Sequence, residues 1–325
     1  MVSIPAPVLR CVERLRQAGF KAYPVGGCVR DLVLGRTPED WDVTTSARPQ
    51  QVMALFDARP TGLRHGTVTV LLDGMALEVT TFRAEGAYSD GRHPDAVSFG
   101  VSLEDDLARR DFTINAMALA PDGAVIDPFG GLEHLREGSI VCVGEPERRF
   151  GEDALRMLRA VRFAAQLDFT IHPAAVSAIR SLAPKIHLVS RERIKAEVEK
   201  ALLSPRPDRV GWMLDWGLLS APRRPDLSPL LDLPAQPIPR WRGFCALTGF
   251  PIDSLPVERK LRMAILHPER EAVASLAVSG GELEHLGFRG PEIGALQRKL
   301  AGHILRHPED NVPERLLALA RALGP

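Results

Sequence analysis

Lysine is scarce in this chain. Its 325 residues include 41 lysines and arginines, but only six are lysine (Lys21, Lys185, Lys195, Lys200, Lys260 and Lys299). Arginine therefore carries most of the positive charge. Its planar guanidinium makes paired contacts with phosphates and base edges, although a GC-rich genome leaves the same bias. Net charge is missing too. The 41 acidic residues balance the basic ones, so whole-chain charge argues neither for nor against a nucleic-acid partner. Cysteine is sparse: Cys11, Cys28, Cys142 and Cys245 form no CxxC pair, which argues against zinc and against a disulfide framework. The opening MVSIPAPVLRCVERL lacks a basic region followed by a long apolar run, so no signal peptide is expected. No apolar stretch reaches transmembrane length. Repeats and low-complexity tracts are absent. What remains is the expectation of a soluble, reduced, cytoplasmic protein with no membrane partner. A composition of 45% hydrophobic and 25% charged residues is that of ordinary globular domains, two or three at this length.

The first segment alternates helix and strand signals. VLRCVERLRQAG is an amphipathic helix closed by Gly19, KAYPVGG is a short strand running into a glycine turn, and VRDLVLG is a helix stopped by Gly35. WDVTT, TVTVLL, ALEVTTF and AVSFGV are β-branched strand runs. MALAPDGAVIDP is a hairpin with Pro-Asp-Gly at its turn. From about residue 147 the apolar spacing becomes helical, in FGEDALRMLRAVRFAAQLDF and the segments after it. A proline-rich linker runs from Pro222 to Pro239, and helical patterns resume beyond it. The expected fold class is α+β: a mixed-sheet head over residues 1–138, a helical neck over 139–221, and a helical body and tail over 222–325.

One stretch asks for a chemical explanation. In GGCVRDLVLGRTPEDWD, two glycines and an arginine precede Asp40 and Asp42. Alternate residues of an extended segment face the same way, so two like charges sit roughly 6–7 Å apart on one face. They are either two solvated acids at a strand start or a pair awaiting a cation. Magnesium takes one or two carboxylates together with substrate phosphates. Glu78, on another expected strand, offers a third carboxylate. Gly26 and Gly27 permit close approach of backbone to a phosphate and can present N–H donors, and Arg30 follows three residues later. GGCVRD is neither a P-loop nor a dinucleotide fingerprint.

VGGCVRDLVLGRTPEDWDVTTSA resembles the signature of the class II tRNA nucleotidyltransferase and bacterial poly(A) polymerase family. The resemblance continues through RHGTVTV, EVTTFR, SLEDDLARRDFTINAMAL, DPFGGLEHL, GEDALRMLRAVRFAAQLDF and RERIKAEVEK, and again in SGGELEHLGFRGPEIGALQRKL. It implies a nucleotidyltransferase head, a magnesium cofactor held by Asp40 and Asp42, and nucleotide phosphates contacted by Gly27 and Arg30. In RRDFTINA it implies that Arg110 contacts the incoming nucleotide and that Asp111 organises the sugar end of the site. The implied reaction is attack of an RNA 3′ hydroxyl on the α-phosphate of ATP or CTP, with the tRNA 3′ end as partner. The loop YSDGRHPDAV falls where the family carries a flexible element tied to the switch between C and A.

GEDALRMLRAVRF suggests how C and A are chosen. In a continuous helix Asp153 and Arg156 are neighbours on one face, either as an intrahelical ion pair or as a joint reader of a base. Cytosine and adenine each present an amino donor beside an unprotonated ring nitrogen. A carboxylate accepts from the first and a guanidinium donates to the second. Uracil and guanine present the reverse pattern, and each buried mismatch costs about 1–3 kcal/mol. The resemblance assigns these two positions that role. Arg159 and Arg162 follow at three-residue steps, within reach of triphosphate or base, while Glu152 and the Arg148-Arg149 pair read as structural. In the body, Arg191, Arg193, Arg240, Arg242 and Arg298 are candidates for RNA phosphates, and Pro291 marks a helix N-terminus suited to a phosphate. Three functional readings follow: an enzyme adding C, A or both to tRNA 3′ ends, a poly(A) polymerase, and a catalytically inactive RNA-binding module. The intact Asp40, Asp42 and Arg110 argue against the last.

Overall fold

The computed structural model describes residues 4–86 and 96–324. The loop YSDGRHPDAV lies almost wholly outside them. α1 (Ala6–Gln17) buries Val8, Cys11 and Leu15, spaced at three and four residues. The head sheet contains β1 (Ala22–Pro24), β2 (Asp42–Thr45), β3 (Ala58–Gly62), β4 (Thr67–Leu72) and β5 (Met75–Thr81), in the spatial order β1-β2-β5-β4-β3. Between them lie α2 (Gly27–Val33) and α3 (Pro49–Leu55). β2 and β5 run parallel while the other pairs are antiparallel, so the sheet is mixed, as expected. The β4–β5 turn is Asp73-Gly74, both at positive φ (49° and 79°), which suits the right-handed twist of a hairpin. Val43, Val68, Val70, Leu77 and Val79 form the buried face.

The head continues with β6 (Arg83–Glu85) paired to β7 (Val97–Phe99), then α4 (Leu103–Ala108). The Pro-Asp-Gly turn joins β8 (Ala118–Leu119) to β9 (Val125–Ile126), and α5 (Gly131–Glu137) follows. Beyond it the chain is mostly helical. β10 (Ser139–Ile140) does pair in parallel with β11 (Thr170–Ile171), a small exception to an all-helical neck. The neck holds α6 (Pro146–Glu152), α7 (Leu155–Leu167), α8 (Pro173–Leu182), α9 (Arg191–Leu202) and α10 (Val210–Asp215).

The expected linker is shorter than Pro222–Pro239. Leu227 and Leu230 are buried, a 3₁₀ turn covers Ser228–Asp232, and α11 (Pro237–Thr248) already starts at Pro237. Prolines in a first helical turn cost no hydrogen bond, because those N–H groups have no partner within the helix. α12 (Arg259–Leu266), α13 (Pro268–Ala274), α14 (Gly280–Glu284), α15 (Pro291–Ile304) and α16 (Pro313–Leu323) complete the chain. One apolar core runs from Val8 to Leu261 and joins head, neck and the start of the body. A second core is confined to residues between Ala272 and Ala320. No described helix is long and apolar enough to cross a membrane.

Candidate active site

Head and neck line a cleft of about 1150 Å³, with acids of the head and with arginines from α2, from the segment just after α4, and from α7 and α9. Asp42 opens β2 and stands level with Glu78 of β5 in the parallel register. Asp40 is not part of the strand. It sits in an exposed bend just before it, so strict alternation along β2 does not apply to the pair. Both aspartates nevertheless line the cleft, whereas Glu78 is exposed beside it. Burial pushes the Asp42 carboxyl up. Arg110 opposes that shift, Glu78 and Asp40 add to it, and the net position is about 6. A carboxylate raised by its own neighbours is one that a bound cation would relieve.

The donor set suits magnesium: two hard-oxygen carboxylates with room for phosphate oxygens. The three acids do not converge as a tight ligand triad. Among the described residues the group with ligand atoms all within 4.8 Å of one another is His307, Glu309 and Asp310, in the C-terminal lobe.

The glycine pair does two different jobs. Gly26 has φ +82°, and a Cβ there would lie 2.6 Å from Arg110 Nη1. Its N–H donates to the Met117 carbonyl (3.0 Å), so Gly26 seats Arg110 and is not placed to offer a phosphate its N–H. Gly27 opens α2 and lines the cleft. Arg30, one turn along α2, is held by both oxygens of Asp31 (2.9 and 3.0 Å) and by Asn115 Oδ1 (2.8 Å). Arg110 donates to the Asn115 carbonyl (3.3 Å), and its Nε is buried without a partner. Burial lowers its pKa, while Asp106 and Asp42 among others raise it.

Asp111 is buried. Burial alone would raise its pKa, but Arg159, Arg156 and the Phe112 N–H draw it down to about 2. Arg159 Nε reaches Asp111 Oδ2 at 2.6 Å, tying α7 to the RRD segment.

The expected common helix face for Asp153 and Arg156 is not found. The helix breaks at Asp153, which has φ −143° and ψ 107° and ends α6. The apolar periodicity runs through this break, which is why it is invisible in the sequence. The two side chains do not pair with each other. Asp153 Oδ1 accepts the Leu155 N–H (3.0 Å), satisfying a donor at the start of α7. Asp153 also pairs with Arg193 of α9 (2.7 Å). Arg156 is largely buried, donating to Glu152 (2.7 Å), the Arg149 carbonyl (3.1 Å) and the Arg109 carbonyl (3.3 Å). Glu152 also binds Arg148 and Arg149, in keeping with a structural part. Asp153 and Arg156 still line one cleft. The geometry that joins them is a turn, not a helix stripe.

Arg162 is committed to Glu197 of α9 (2.5 Å) and to Gln166 (2.7 Å). Its guanidinium lies 3.8 Å from the centre of the Phe163 ring, which Arg30 and Arg159 also approach at 5.3 and 5.2 Å. Phe163 thus anchors three cleft arginines through cation–π contact. Its four-residue spacing from Arg159 along α7 is a signal the sequence carries. Asp106 was also missed. Fully buried, it accepts from Thr44 Oγ1 (3.0 Å), the Arg83 N–H (3.3 Å) and Arg109 (2.9 and 3.0 Å). Its place three and four residues before Arg109 and Arg110 was legible. Of the body arginines expected at RNA phosphates, Arg193 instead holds Asp153, and Arg240 is buried, with Nε on the Pro234 carbonyl (3.1 Å). Arg242 donates to the Ala264 carbonyl (3.0 Å), while Arg191 and Arg298 are exposed.

Residues 22–141 match the poly A polymerase head domain, and residues 168–221 match the probable RNA and SrmB-binding site of polymerase A. The CCA-adding enzyme of Limosilactobacillus reuteri (strain DSM 20016) is 50% identical over 202 residues, covering 62% of this chain and 50% of that protein. That of Geobacillus stearothermophilus is 51% identical over 198 residues, 61% and 49% of the two chains. The chain thus spans about half the length of the curated relatives it matches. The crystal structure of the Bacillus stearothermophilus CCA-adding enzyme in complex with CTP is similar over 98% of this chain and 82% of that one, at 34% identity and a TM-score of 0.75. The Thermotoga maritima CCA-adding enzyme complexed with tRNA shares the fold at 22% identity, with a TM-score of 0.63 over 87% of this chain and 73% of that one.

Proposed function

The chain belongs to the family of CCA-adding enzymes and bacterial poly(A) polymerases, and from that premise we propose that it adds C, A or both to the 3′ end of tRNA without a nucleic-acid template. The observation that carries this reading is a shared cleft: Asp42, raised to about 6 beside Asp40 and Glu78, lines the same space as Arg30 and Arg110 of the head and Arg156, Arg159 and Arg162 of the neck. The acids suit a cation, and the guanidiniums suit phosphates and a base.

In this reading Asp40 and Asp42 hold magnesium, with Glu78 supporting them from the next strand. When bound, the ion would lower the pKa of the RNA 3′ hydroxyl and offset charge growing at the α-phosphate. Gly27 and Arg30 position the triphosphate, and Gly26 seats Arg110 against it. Asp111 fixes Arg159 at the sugar end, and Arg162 with Phe163 keeps the arginine wall in place. Asp153 accepts from the amino group of C or A, and Arg156 donates to the adjacent ring nitrogen. The hydroxyl oxygen bonds to the α-phosphorus, the α–β bridge breaks and pyrophosphate leaves. Residues 1–138 supply the chemistry, 139–221 the base reader, and 222–325 a surface for the tRNA. The reaction belongs to the cytoplasm, where tRNA and nucleoside triphosphates meet.

The test supplies each labelled nucleotide in turn to tRNAs ending before CCA, to tRNAs ending after CC, and to generic RNA. Addition of C or A confined to tRNA supports the proposal, and separates CCA, CC and A addition. Long A tails on generic RNA would make it a poly(A) polymerase, and no incorporation on any RNA would leave a binding module.

A further inference from the structure

We propose that Arg193 is a positioning residue for nucleotide choice, a clamp that fixes the Asp153 carboxylate in the one orientation that discriminates bases. This rests on the base-reading role proposed above for Asp153.

Asp153 sits at the junction of α6 and α7, where its backbone is extended. A carboxylate there has no helical neighbours to restrain it, and its side chain would rotate freely. Two features prevent this. Oδ1 accepts the Leu155 N–H at 3.0 Å. Arg193, near the start of α9, grips both oxygens, with Nη2 on Oδ2 at 2.7 Å and Nη1 on Oδ1 at 3.4 Å. A carboxylate has about four acceptor positions. Two on Oδ1 and one on Oδ2 are thereby taken, which leaves a single position on Oδ2. One remaining acceptor matches one N–H of an exocyclic amino group.

Fixing the carboxylate matters most against the wrong base. A mobile carboxylate could swing away from the carbonyl of uracil or guanine and escape the repulsion. A clamped one cannot, so the mismatch keeps its full cost. The clamp also reaches across elements. α9 holds α7 through Glu197 and Arg162 (2.5 Å), and it holds the α6–α7 junction through Arg193. α9 therefore sets the reader's orientation from outside the reading segment.

The experiment measures incorporation of CTP, ATP, UTP and GTP by the full chain on tRNA ending before CCA and after CC. Wild type is compared with Arg193→Ala, Arg193→Lys and Asp153→Ala. Arg193→Lys keeps the charge but loses the fork, and serves if Arg193→Ala does not fold. We expect both Arg193 variants to lower the CTP-to-UTP selectivity on the order of tenfold, with magnesium dependence unchanged. Adding Arg193→Ala to Asp153→Ala should change selectivity no further. A merely structural Arg193 would slow all four nucleotides alike and leave the ratios intact, which overturns the clamp. If Asp153→Ala itself leaves selectivity unchanged, the base-reading role falls. If Asp153→Ala relaxes selectivity and the Arg193 variants do not, only the clamp falls.

Discussion

Replacing Asp42 with asparagine should make the metal-free protein more stable and, at the same time, inactive. Burial pushes the carboxyl up to about 6 in the fold, from an ordinary value of 3.8. That rise corresponds to about 3 kcal/mol of penalty on the charged form. Asp42 is partly open to solvent, which trims this to roughly 1–2 kcal/mol. The sign follows from proton binding. The native state holds this proton more tightly than the unfolded chain, so the penalty is absent below 3.8. It grows as pH rises towards 6 and is complete above that. Asparagine keeps the shape and removes the charge.

Urea unfolding with a chelator at about pH 7.5 should therefore find Asp42→Asn more stable than wild type by roughly 1–2 kcal/mol, and at about pH 4 the difference should shrink to a few tenths of a kcal/mol. Saturating magnesium should stabilise wild type, since a ligand that binds only the native state adds RT ln(1 + [L]/Kd). The variant should gain little. Incorporation of C and A should be abolished, with the fold intact. A variant less stable than wild type in chelator at neutral pH would refute the repulsion. Near-normal incorporation would refute the metal role.

Gly26→Ala forces a Cβ to 2.6 Å from Arg110 Nη1 at φ +82°; the backbone strain costs about 1–3 kcal/mol, and KM for nucleotide should rise on the order of tenfold, so an unchanged KM would show that Arg110 does not need this seat. Arg159→Met leaves the buried Asp111 carboxylate without its nearest cation, which should cost about 2–3 kcal/mol at neutral pH given that Arg159 is a third exposed. The stability that Asp111 confers is complete above 3.8 and is lost as pH falls towards 2, so the acid-unfolding midpoint of this variant should move to higher pH. Leu300→Ala, at a fully buried site of the C-terminal core, should lower stability by about 2–4 kcal/mol. Calorimetry should show an early transition for that lobe while CTP binding in the cleft persists, and simultaneous loss of both would reject an independent lobe.

Where local rules decide the structure, the sequence is readable. TVTVLL and ALEVTT become strands because β-branched residues alternate around a two-residue Asp-Gly turn. The helix closed at Gly19 ends there because left-handed backbone (φ +90°) is cheap for glycine. The strand Ala58–Gly62 (ARPTG) carries no such pattern: it is an edge strand with a proline, defined only by its pairing with β4. α11 was hidden for a related reason, since prolines at 237 and 239 read as linker although they occupy a first helical turn.

The site was legible as a set of residue types but not as a set of partners. Every cleft arginine expected to meet nucleotide is met in the fold by a carboxylate or carbonyl, near or far along the chain: Arg30 by Asp31, Arg110 by the Asn115 carbonyl, Arg156 by Glu152, Arg159 by Asp111 and Arg162 by Glu197. Sequence distance hides the longer of these pairs, because nothing in the chain signals a 2.6 Å contact between Asp111 and Arg159, 48 positions apart. Their consequence is physical. An unpaired arginine wall would repel itself and would spend binding energy on ordering long side chains. Paired in advance, the guanidiniums are already fixed when a nucleotide arrives, and what the nucleotide adds is charge of the sign that the acids have only partly supplied. The same logic reaches Asp153, whose partner is an arginine on another helix, and makes selectivity a property of the α7–α9 contact as much as of the residues that would touch the base.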